Sequence, residues 1–292
     1  MPIRNIVTAA LLLISFQNIY ACAGVAPGGE SVAFGDQEDV IIYNSKTQTE
    51  YFIRNAKFDA ISPDFGFIAP TPSMPELSSV KPDLMNLIFS YGGMSREAGM
   101  EILDEVKVAG YKATIIKAND RQAMTKWLTE NKYQTSPSIG EWLDFYIKKG
   151  WFFTAFKVDN LKEISETGVI CMKFQTKTPF HPFYVPKDNW GRDSFGTLKV
   201  AIVSDYEYVA SQLGDTSKPT RRFIHQTFTT KLTDFELLKV AEYVKCPVDA
   251  LPTPAYVKVL AKKPFPTTAE EDMYFFPAEP QSLLTDMFAP VL

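Results

Sequence analysis

The stretch that decides the fold is DFGFIAPTPSMPEL, residues 64–77. Its first half is typical of a buried strand, because Phe65, Phe67 and Ala69 share one face of an extended chain. Three prolines follow between positions 70 and 75, and proline cannot donate a ladder hydrogen bond. We predict a core strand with a rigid, extended exit. The alternative is a polyproline II ligand, since PSMP fits the PxxP pattern.

The segments around this stretch predict more strands than helices. Upstream, VIIYN and TEYFIRNAKF flank a polar turn at 45–48, as in a hairpin. Downstream strands are predicted at 111–117, 151–158, 168–177, 196–204 and, as the last strand, 255–262. Helices are predicted at 82–89, 95–108, 119–128 after a cap at Asn119 or Asp120, 138–150 after a cap at Ser138, and 233–244. Because no βαβ pattern repeats, the predicted class is α+β, a mainly antiparallel β-sheet with inserted helices.

The N-terminal stretch MPIRNIVTAALLLISFQNIYACAG has the layout of a secretory signal peptide. Arg4 precedes an apolar core from Ile6 to Phe16, and small residues follow it. The alternative is a buried N-terminal helix. We expect removal of residues 1–21, or a cut after Ala23. Residues 22–292 would then form the exported α+β domain, either as one unit or as two lobes dividing near residue 118.

The three cysteines leave two questions open. A plain cut would release a free chain, whereas a lipoprotein cut before Cys22 would place a lipid anchor on its sulfur. In an oxidising compartment Cys171 and Cys246 could form a disulfide. The alternative is two separate buried thiols, since free cysteine behaves as a small hydrophobic residue.

Charge narrows the classes of partner. The formal net charge is −4, and loss of Arg4 with the signal peptide makes it −5. This gives no basic footprint for nucleic acid. No apolar run after residue 21 is long enough to span a bilayer. We expect an exported protein, in the periplasm, at the cell surface or secreted, whose partner is an envelope protein or a glycan.

Several stretches together resemble a known bacterial family. They are CAG at 22–24, DFGFIAPTPSMPEL at 64–77, AGYKATIIKANDRQAMTKWL from Ala109, EWLDFYIKKGWFFTAFKV at 141–158 and MKFQTKTPFHPFYV at 172–185. The family is secreted and is named only as a domain of unknown function (domain of unknown function 2330). The resemblance implies an exported, mostly β-containing module over nearly the whole chain after the signal peptide. It implies no catalytic residues.

Two histidines, His181 and His225, are the starting points for any catalytic or metal site. A zinc site would use both with a carboxylate, and a hydrolase would place one beside a serine and an aspartate. The sequence has no HExxH, His-x-His, CxxC or GxSxG pattern. We therefore predict a non-enzymatic module with no catalytic residue, metal or cofactor. The alternative is an envelope hydrolase that uses His181 or His225 with a nearby Ser/Asp or a metal.

Three polar stretches complete the search for sites. The loop KDNWGRD at 187–193 supplies Trp190 and Arg192 as the predicted contacts to a partner. The alternative for Trp190 is a loop aromatic folded onto the body. The run AEED at 269–272 is interpreted as a solvated acidic surface, without the spacing of a calcium loop. Ser204 and Asp205 end a strand and are interpreted as a turn.

Overall fold

The computed structural model describes residues 23–25, 32–60, 66–93, 111–133, 135–158, 168–184, 186–187, 197–210, 225–226, 229–262 and 271–278. Phe65, the predicted helix at 95–108, Cys22, Trp190 and Arg192 lie outside these ranges.

Strands outnumber helices, as predicted. The strands are β1 Ala23–Val25, β2 Val32–Asn44, β3 Thr49–Ala60, β4 Gly66–Thr71, β5 Glu76–Val80, β6 Tyr111–Ile116, β7 Phe152–Val158, β8 Val169–Gln175, β9 Phe180–His181, β10 Leu198–Ser204, β11 Tyr208–Ala210, β12 His225–Gln226, β13 Thr230–Lys231, β14 Tyr256–Lys262 and β15 Met273–Pro277. The helices are α1 Asp83–Tyr91, α2 Arg121–Glu130, α3 Pro137–Lys148 and α4 Asp234–Val244, with a 3-10 turn at Val248–Ala250. Within the described residues, none of these helices has the length and apolar character needed to cross a bilayer.

The strands form three sheets. The large sheet has the order β12-β14-β10-β2-β3-β8-β5, with β13 also on β14, and the four-stranded sheet has the order β1-β4-β7-β6. A small sheet has the order β11-β15-β9. Described neighbours are antiparallel apart from β2 and β10, which run parallel. The predicted α+β class with mainly antiparallel sheet is confirmed.

Three apolar cores order the layers as helix, sheet, sheet, helix. The inter-sheet core lies between the large and the four-stranded sheet and includes Phe67 and Ala69. The second core packs α1 and α4 on the other face of the large sheet, and the third packs α2 and α3 on the four-stranded sheet. Ile68 points into the third core, opposite to Phe67. Strands buried on both faces have nearly continuous apolar sequence, which explains why β4 and β7 show only partial alternation.

The proline segment connects the two main sheets. Pro70 pairs with Phe153 of β7, and within the described residues β1 pairs with β4 as far as Ile68, so no described residue of β1 lies opposite Pro70. Ser73 then binds the end of β8, since its hydroxyl accepts from Gln175 N at 2.8 Å and donates to Gln175 O at 2.9 Å. The chain enters β5 immediately afterwards. The sequence placed the connection correctly after the core strand, but its rigidity stays a prediction, and β5 itself was not predicted.

Helix ends follow local capping rules, with one correction. The Asp120 side chain accepts from Ala123 N at 2.8 Å, as predicted for α2. The predicted cap of α3 at Ser138 is wrong, because Ser136 is the N-cap and accepts from Ile139 N at 3.2 Å. Pro137 at the first helical position moves the start upstream, since its fixed φ and absent N–H suit that position. Gly150 follows α3 at φ 72°, as a glycine after a helix end often does.

The C-terminal part differs from the sequence prediction. The strand predicted as the last, β14, is followed by β15, which holds the small sheet together. Its partners β9 and β11 are only two and three residues long, too short for a periodic pattern. Both main sheets combine strands from either side of residue 118, as in the β4–β7 and β3–β8 pairs. A division into two lobes stays a prediction.

Candidate functional site

The predicted binding residues Trp190 and Arg192 lie outside the described ranges, so their role stays a prediction. His225 belongs to β12, but its side chain is outside what the structure describes. His181 is described in full. Within the described residues, no group of three or more His, Cys, Asp and Glu side chains is arranged to hold a metal ion.

His181 is a buried core residue. Its Nε2 atom lies 2.6 Å from Oδ2 of Asp39, and neither side chain has exposed surface. The edges of Phe52 and Phe183 pack near the imidazole, with ring centroids at 5.5 and 5.9 Å. A substrate arriving from solvent has no access to this imidazole in the described conformation.

Polar neighbours complete the setting of this pair. Arg54 lies opposite Asp39 across the β2–β3 ladder and is itself 2% exposed. Its guanidinium donates to Gln37 Oε1 at 2.8 Å and lies over the ring of Phe67, 5.3 Å from the centroid. Each member of the pair makes one contact to the other, while His181 Nδ1 and Asp39 Oδ1 have no hydrogen-bond partner among the described residues. The pairing offsets part of the cost of burying these polar groups.

The two described cysteines are free thiols. Cys171 of β8 is fully buried in the core under α1 and α4, and Cys246, just after α4, packs against the same core. Burial raises the pKa of Cys171 to about 12 and also raises that of Cys246. The structure thus contains two thiols rather than the disulfide, which stays a prediction.

The acidic run at 269–272 is not uniformly solvated, which corrects the sequence interpretation. Asp272 has no exposed surface. Its Oδ1 accepts from Tyr146 Oη at 2.6 Å and from the backbone nitrogens of Phe183 and Tyr184 at 3.0 and 3.3 Å. Burial raises the pKa of this carboxyl. Asp272 therefore joins β15 to α3 and to the segment after β9.

A pocket lies where the parallel strands β2 and β10 both end. Its volume is about 670 Å³, within the range of small-molecule sites. We call it the Lys46 pocket. Its lining residues are Lys46, Asp205, Tyr206, Glu207, Thr229, Lys231, Thr253, Pro254 and Tyr256.

The turn that carries Lys46 is held by Asn44. The Asn44 side-chain oxygen accepts from Lys46 N at 3.0 Å and Thr47 N at 3.3 Å, which closes the turn between β2 and β3. Its Nδ2 donates to the carbonyls of Ala250 and Leu251, each at 3.2 Å. The turn is therefore fixed to a segment more than 200 residues away in the chain, |i−j| being 206 and 207.

Asp205 ties the turn to the end of β10. Its Oδ2 accepts from Ser45 N at 3.3 Å and from Ser45 Oγ at 2.5 Å. Ser204 Oγ donates to Tyr206 O at 2.8 Å, which shapes the chain as it leaves the strand. The predicted turn at Ser204–Asp205 is present, and it forms one wall of the pocket.

The acids of the pocket have internal partners. Asp205 Oδ2 accepts from Ser45, while Asp205 Oδ1 has no hydrogen-bond partner among the described residues, and Glu207 accepts from Lys258 Nζ at 3.2 Å. The nearby Thr229 hydroxyl and Lys258 hold the pKa of Glu207 below its usual value, against a smaller opposing effect of burial. Glu207 is therefore a carboxylate at neutral pH.

The lysines of the pocket have no acidic partner among the described residues. Lys46 Nζ donates to the carbonyl of Thr253 at 3.3 Å. Lys231 is exposed at the end of β13 opposite Tyr256 and forms no ion pair with any acid that the structure describes. Two cationic groups thus remain available at the pocket.

An aromatic side and an apolar strip adjoin the charged groups. Tyr206 is 57% exposed. The carbonyl of Glu207 accepts from Ala278 N at 2.7 Å, which joins this wall to the small sheet. There, Val209 and Phe276 are register partners and both are exposed. A ligand at the pocket could extend over this strip.

Sequence reasoning missed this site because four separate segments build it. Lysine, threonine and tyrosine in loops form no motif by spacing. The one signal in the sequence was Ser204–Asp205, a hydroxyl beside an acid at a strand end. Its partner Ser45 lies 160 positions earlier, and only the parallel pairing of β2 and β10 brings the two together.

The fold and this pocket define an α+β sandwich with a polar surface site. The model of a family described as "Uncharacterized protein conserved in bacteria (DUF2330)" matches residues 88–185, which confirms the resemblance over that part of the chain. The stretches at 22–24 and 64–77 lie outside the match. The matched part runs from α1 to the segment after β9 and contains none of the pocket residues. The chain is similar to the crystal structure of baculovirus P35, with a TM-score of 0.47 and 9% identity over 85% of this chain and 98% of that one. A comparison with curated proteins finds no match.

Proposed function

We propose that this protein is an exported, non-enzymatic module that binds a ligand from the cell envelope in the Lys46 pocket. The observation that carries the proposal is a concave site on a fixed turn, in which Glu207 is ion-paired with Lys258 while the two lysines have no acidic partner among the described residues. Preorganisation favours binding, because a fixed backbone loses little freedom when the ligand arrives.

The alternative of an envelope hydrolase draws on His181, which does contact a carboxylate. Both members of that pair are without exposed surface, and aromatic rings surround the imidazole. A general base must come within hydrogen-bond reach of its substrate. The burial of His181 therefore favours the binding function over hydrolysis at this residue.

Export rests on the N-terminal pattern of Arg4, an apolar core and small residues before Cys22. Cleavage by either route would leave the envelope as the compartment, with a lipid on Cys22 in one case. The oxidising conditions there would also allow Cys171 and Cys246 to pair.

The binding function is tested with the exported chain and fractions of the envelope. A fraction that contains the ligand should raise the Tm of the wild-type chain, because a ligand that binds the folded state stabilises it. The same fraction should act less on Tyr206→Ala and Lys231→Glu. Lys239→Gln is the control, since Lys239 lies on α4 over Phe235, away from the pocket. Equal stabilisation of all variants would place the ligand elsewhere, and no stabilisation by any fraction would contradict the binding function.

Export and the cysteine state are read from one experiment. The intact mass of the envelope protein should lack residues 1–21, or 1–23, and a lipid on Cys22 would add its own mass. An intact N-terminus would contradict export. A disulfide between Cys171 and Cys246 lowers the mass by two hydrogens relative to the reduced sample, and an unchanged mass would leave the two thiols of the structure.

A further inference from the structure

We propose that the ligand of the Lys46 pocket is an acidic sugar, with a carboxylate or phosphate group held between Lys46 and Lys231 and a sugar ring against Tyr206. This inference rests on the proposed binding function and names the chemical class of its ligand. Three properties of the pocket carry it.

The first property is charge. The protein as a whole is acidic, with a formal net charge of −4, yet the lining of this pocket has two lysines without an acidic partner among the described residues. Glu207 is ion-paired with Lys258 and does not neutralise them. Asp205 accepts from the neutral Ser45, so the lining holds two lysines against one carboxylate that no described cation pairs. An incoming oxyanion would gain charge-assisted hydrogen bonds there, which are stronger than neutral ones.

The second property is the fixed position of one cation. The Asn44 side chain closes the turn that bears Lys46, and Asp205 holds the same turn through Ser45. The Lys46 ammonium already rests on the Thr253 carbonyl. Little conformational entropy remains to be lost when an anion binds, in contrast to a lysine on a free loop.

The third property is the polar lining beside an exposed ring. Thr229, Thr253 and Tyr256, which carry hydroxyl groups, line the wall, and Tyr206 beside them is 57% exposed. Many hydroxyl partners next to one aromatic face suit a sugar ring better than an aliphatic body. The pocket volume of about 670 Å³ accommodates a ligand larger than a bare ion.

The test is calorimetric titration of the exported, processed chain with defined probes. Glucuronate supplies a ring with a carboxylate, glucose 6-phosphate a ring with a phosphate, and glucose the ring alone. Inorganic phosphate and a capped glutamate dipeptide complete the set. The charged sugars should bind at least about tenfold tighter than glucose. Their affinity should fall as salt rises, because the cations are near solvent. The stronger of the two charged sugars identifies the oxyanion.

Variants connect this binding to the lysines. Lys231→Gln should weaken the charged sugars about tenfold and leave glucose unchanged. This substitution removes no hydrogen bond that the structure describes, so folding should be unaffected; Lys239→Gln is the matched control. Lys46→Gln should have a similar effect, and Tyr206→Ala should weaken the sugars but not inorganic phosphate.

Two results would overturn the acidic-sugar assignment. One is equal binding of charged and neutral sugars, or no binding of the charged sugars below about 1 mM. The other is a preference for the acidic dipeptide, which would make the ligand a protein segment. Either result can occur while an envelope fraction still stabilises the wild type but not Tyr206→Ala. In that case the pocket binds a ligand, and only the acidic-sugar assignment is wrong. If the envelope fraction raises the Tm of the pocket variants as much as that of the wild type, the binding function of the pocket is contradicted as well.

Discussion

Two glutamates in this molecule show opposite behaviour. Glu50, on the inter-sheet face of β3, has no exposed surface, and burial raises its pKa well above the usual value despite a hydrogen bond from Phe180 N at 3.0 Å. Glu207, at the rim of the Lys46 pocket, has a lowered pKa through Thr229 and Lys258. The same side chain is thus favoured as a neutral acid in one place and as an anion in the other.

The difference separates the packed interior from an accessible surface pocket. Between the sheets, Asp39 and His181 contact each other and have no exposed surface, so a substrate from solvent does not reach them. At the pocket, Glu207 is ion-paired with Lys258, whereas Lys46 and Lys231 have no acidic partner among the described residues. Accessibility and unused charge, rather than the presence of a histidine, mark the candidate site.

The largest effect is expected inside, at Phe67. Phe67→Ala should lower the free energy of unfolding by about 3–5 kcal/mol, because the ring is 1% exposed and stacks on Phe156 at 4.7 Å. Urea denaturation of the variant and of Met74→Ala, a 65% exposed control, measures the difference. A loss under about 0.5 kcal/mol, as at surface positions, would contradict the burial of Phe67 in the inter-sheet core.

Breaking the buried pair should come next. Asp39→Ala leaves His181 without its carboxylate and should cost about 3 kcal/mol, as expected when one partner of a buried pair is removed. The double variant Asp39→Leu, His181→Leu should recover part of this loss, since it removes both polar groups. If the single variant is as stable as the wild type, the pair is not the buried contact described above.

The two glutamates should give opposite pH dependences. Because Glu50 has a raised pKa, the folded state binds more protons, so stability falls as pH rises from the usual glutamate pKa through the folded one. Glu50→Gln should remove this loss, because glutamine does not titrate. Stability measured by urea at a series of pH values checks it.

Glu207 is the matched case in that series. Its lowered pKa stabilises the fold above the usual glutamate pKa, and this contribution is lost as pH falls through the lowered value. Glu207→Gln should reduce the pH dependence of the unfolding free energy only on this acidic side. Parallel slopes for both variants would contradict the contrast between interior and pocket.

The smallest effect is expected for the pocket's outer ion pair. Lys258→Gln removes the 3.2 Å contact to Glu207 and should change stability by less than about 1 kcal/mol, because the glutamate is half exposed. Thermal unfolding at low and high salt measures it. A larger loss of stability would mean that the Lys258–Glu207 pair contributes to the stability of the fold and does not belong only to the surface of the pocket.

The sequence predicted the long elements well for a physical reason. β2, β3, β7 and β8 carry apolar runs that only burial explains, and Asp120 and Gly150 mark helix ends by local chemistry. The sequence did not predict β9, β11 and β15, because these strands are defined by pairing with partners that are distant in the chain. Asp272 was predicted to be solvated because it follows charged residues in the sequence. Its burial results from tertiary contacts, such as the one with Tyr146.

The candidate site was much less predictable than the fold. Residue types with known chemistry led to His181, which proved to be a core residue. The Lys46 pocket depends on contacts across 160 to 207 positions, such as Ser45 with Asp205 and Asn44 with Leu251. No local sequence pattern encodes such contacts, so only the three-dimensional structure reveals them.

The parallel pair of β2 and β10 also governs how the chain must be assembled. Val40 of β2 meets Ala201 of β10, so the central strand of the large sheet lacks one neighbour until the C-terminal third has been synthesised. At about 5–20 residues per second, the interval is roughly 10–30 s. During it, one side of the apolar strand VIIYN is an open edge, a template for aggregation. We therefore expect the nascent chain to aggregate less when a chaperone covers this edge or when the chain collapses only after β10 has been made.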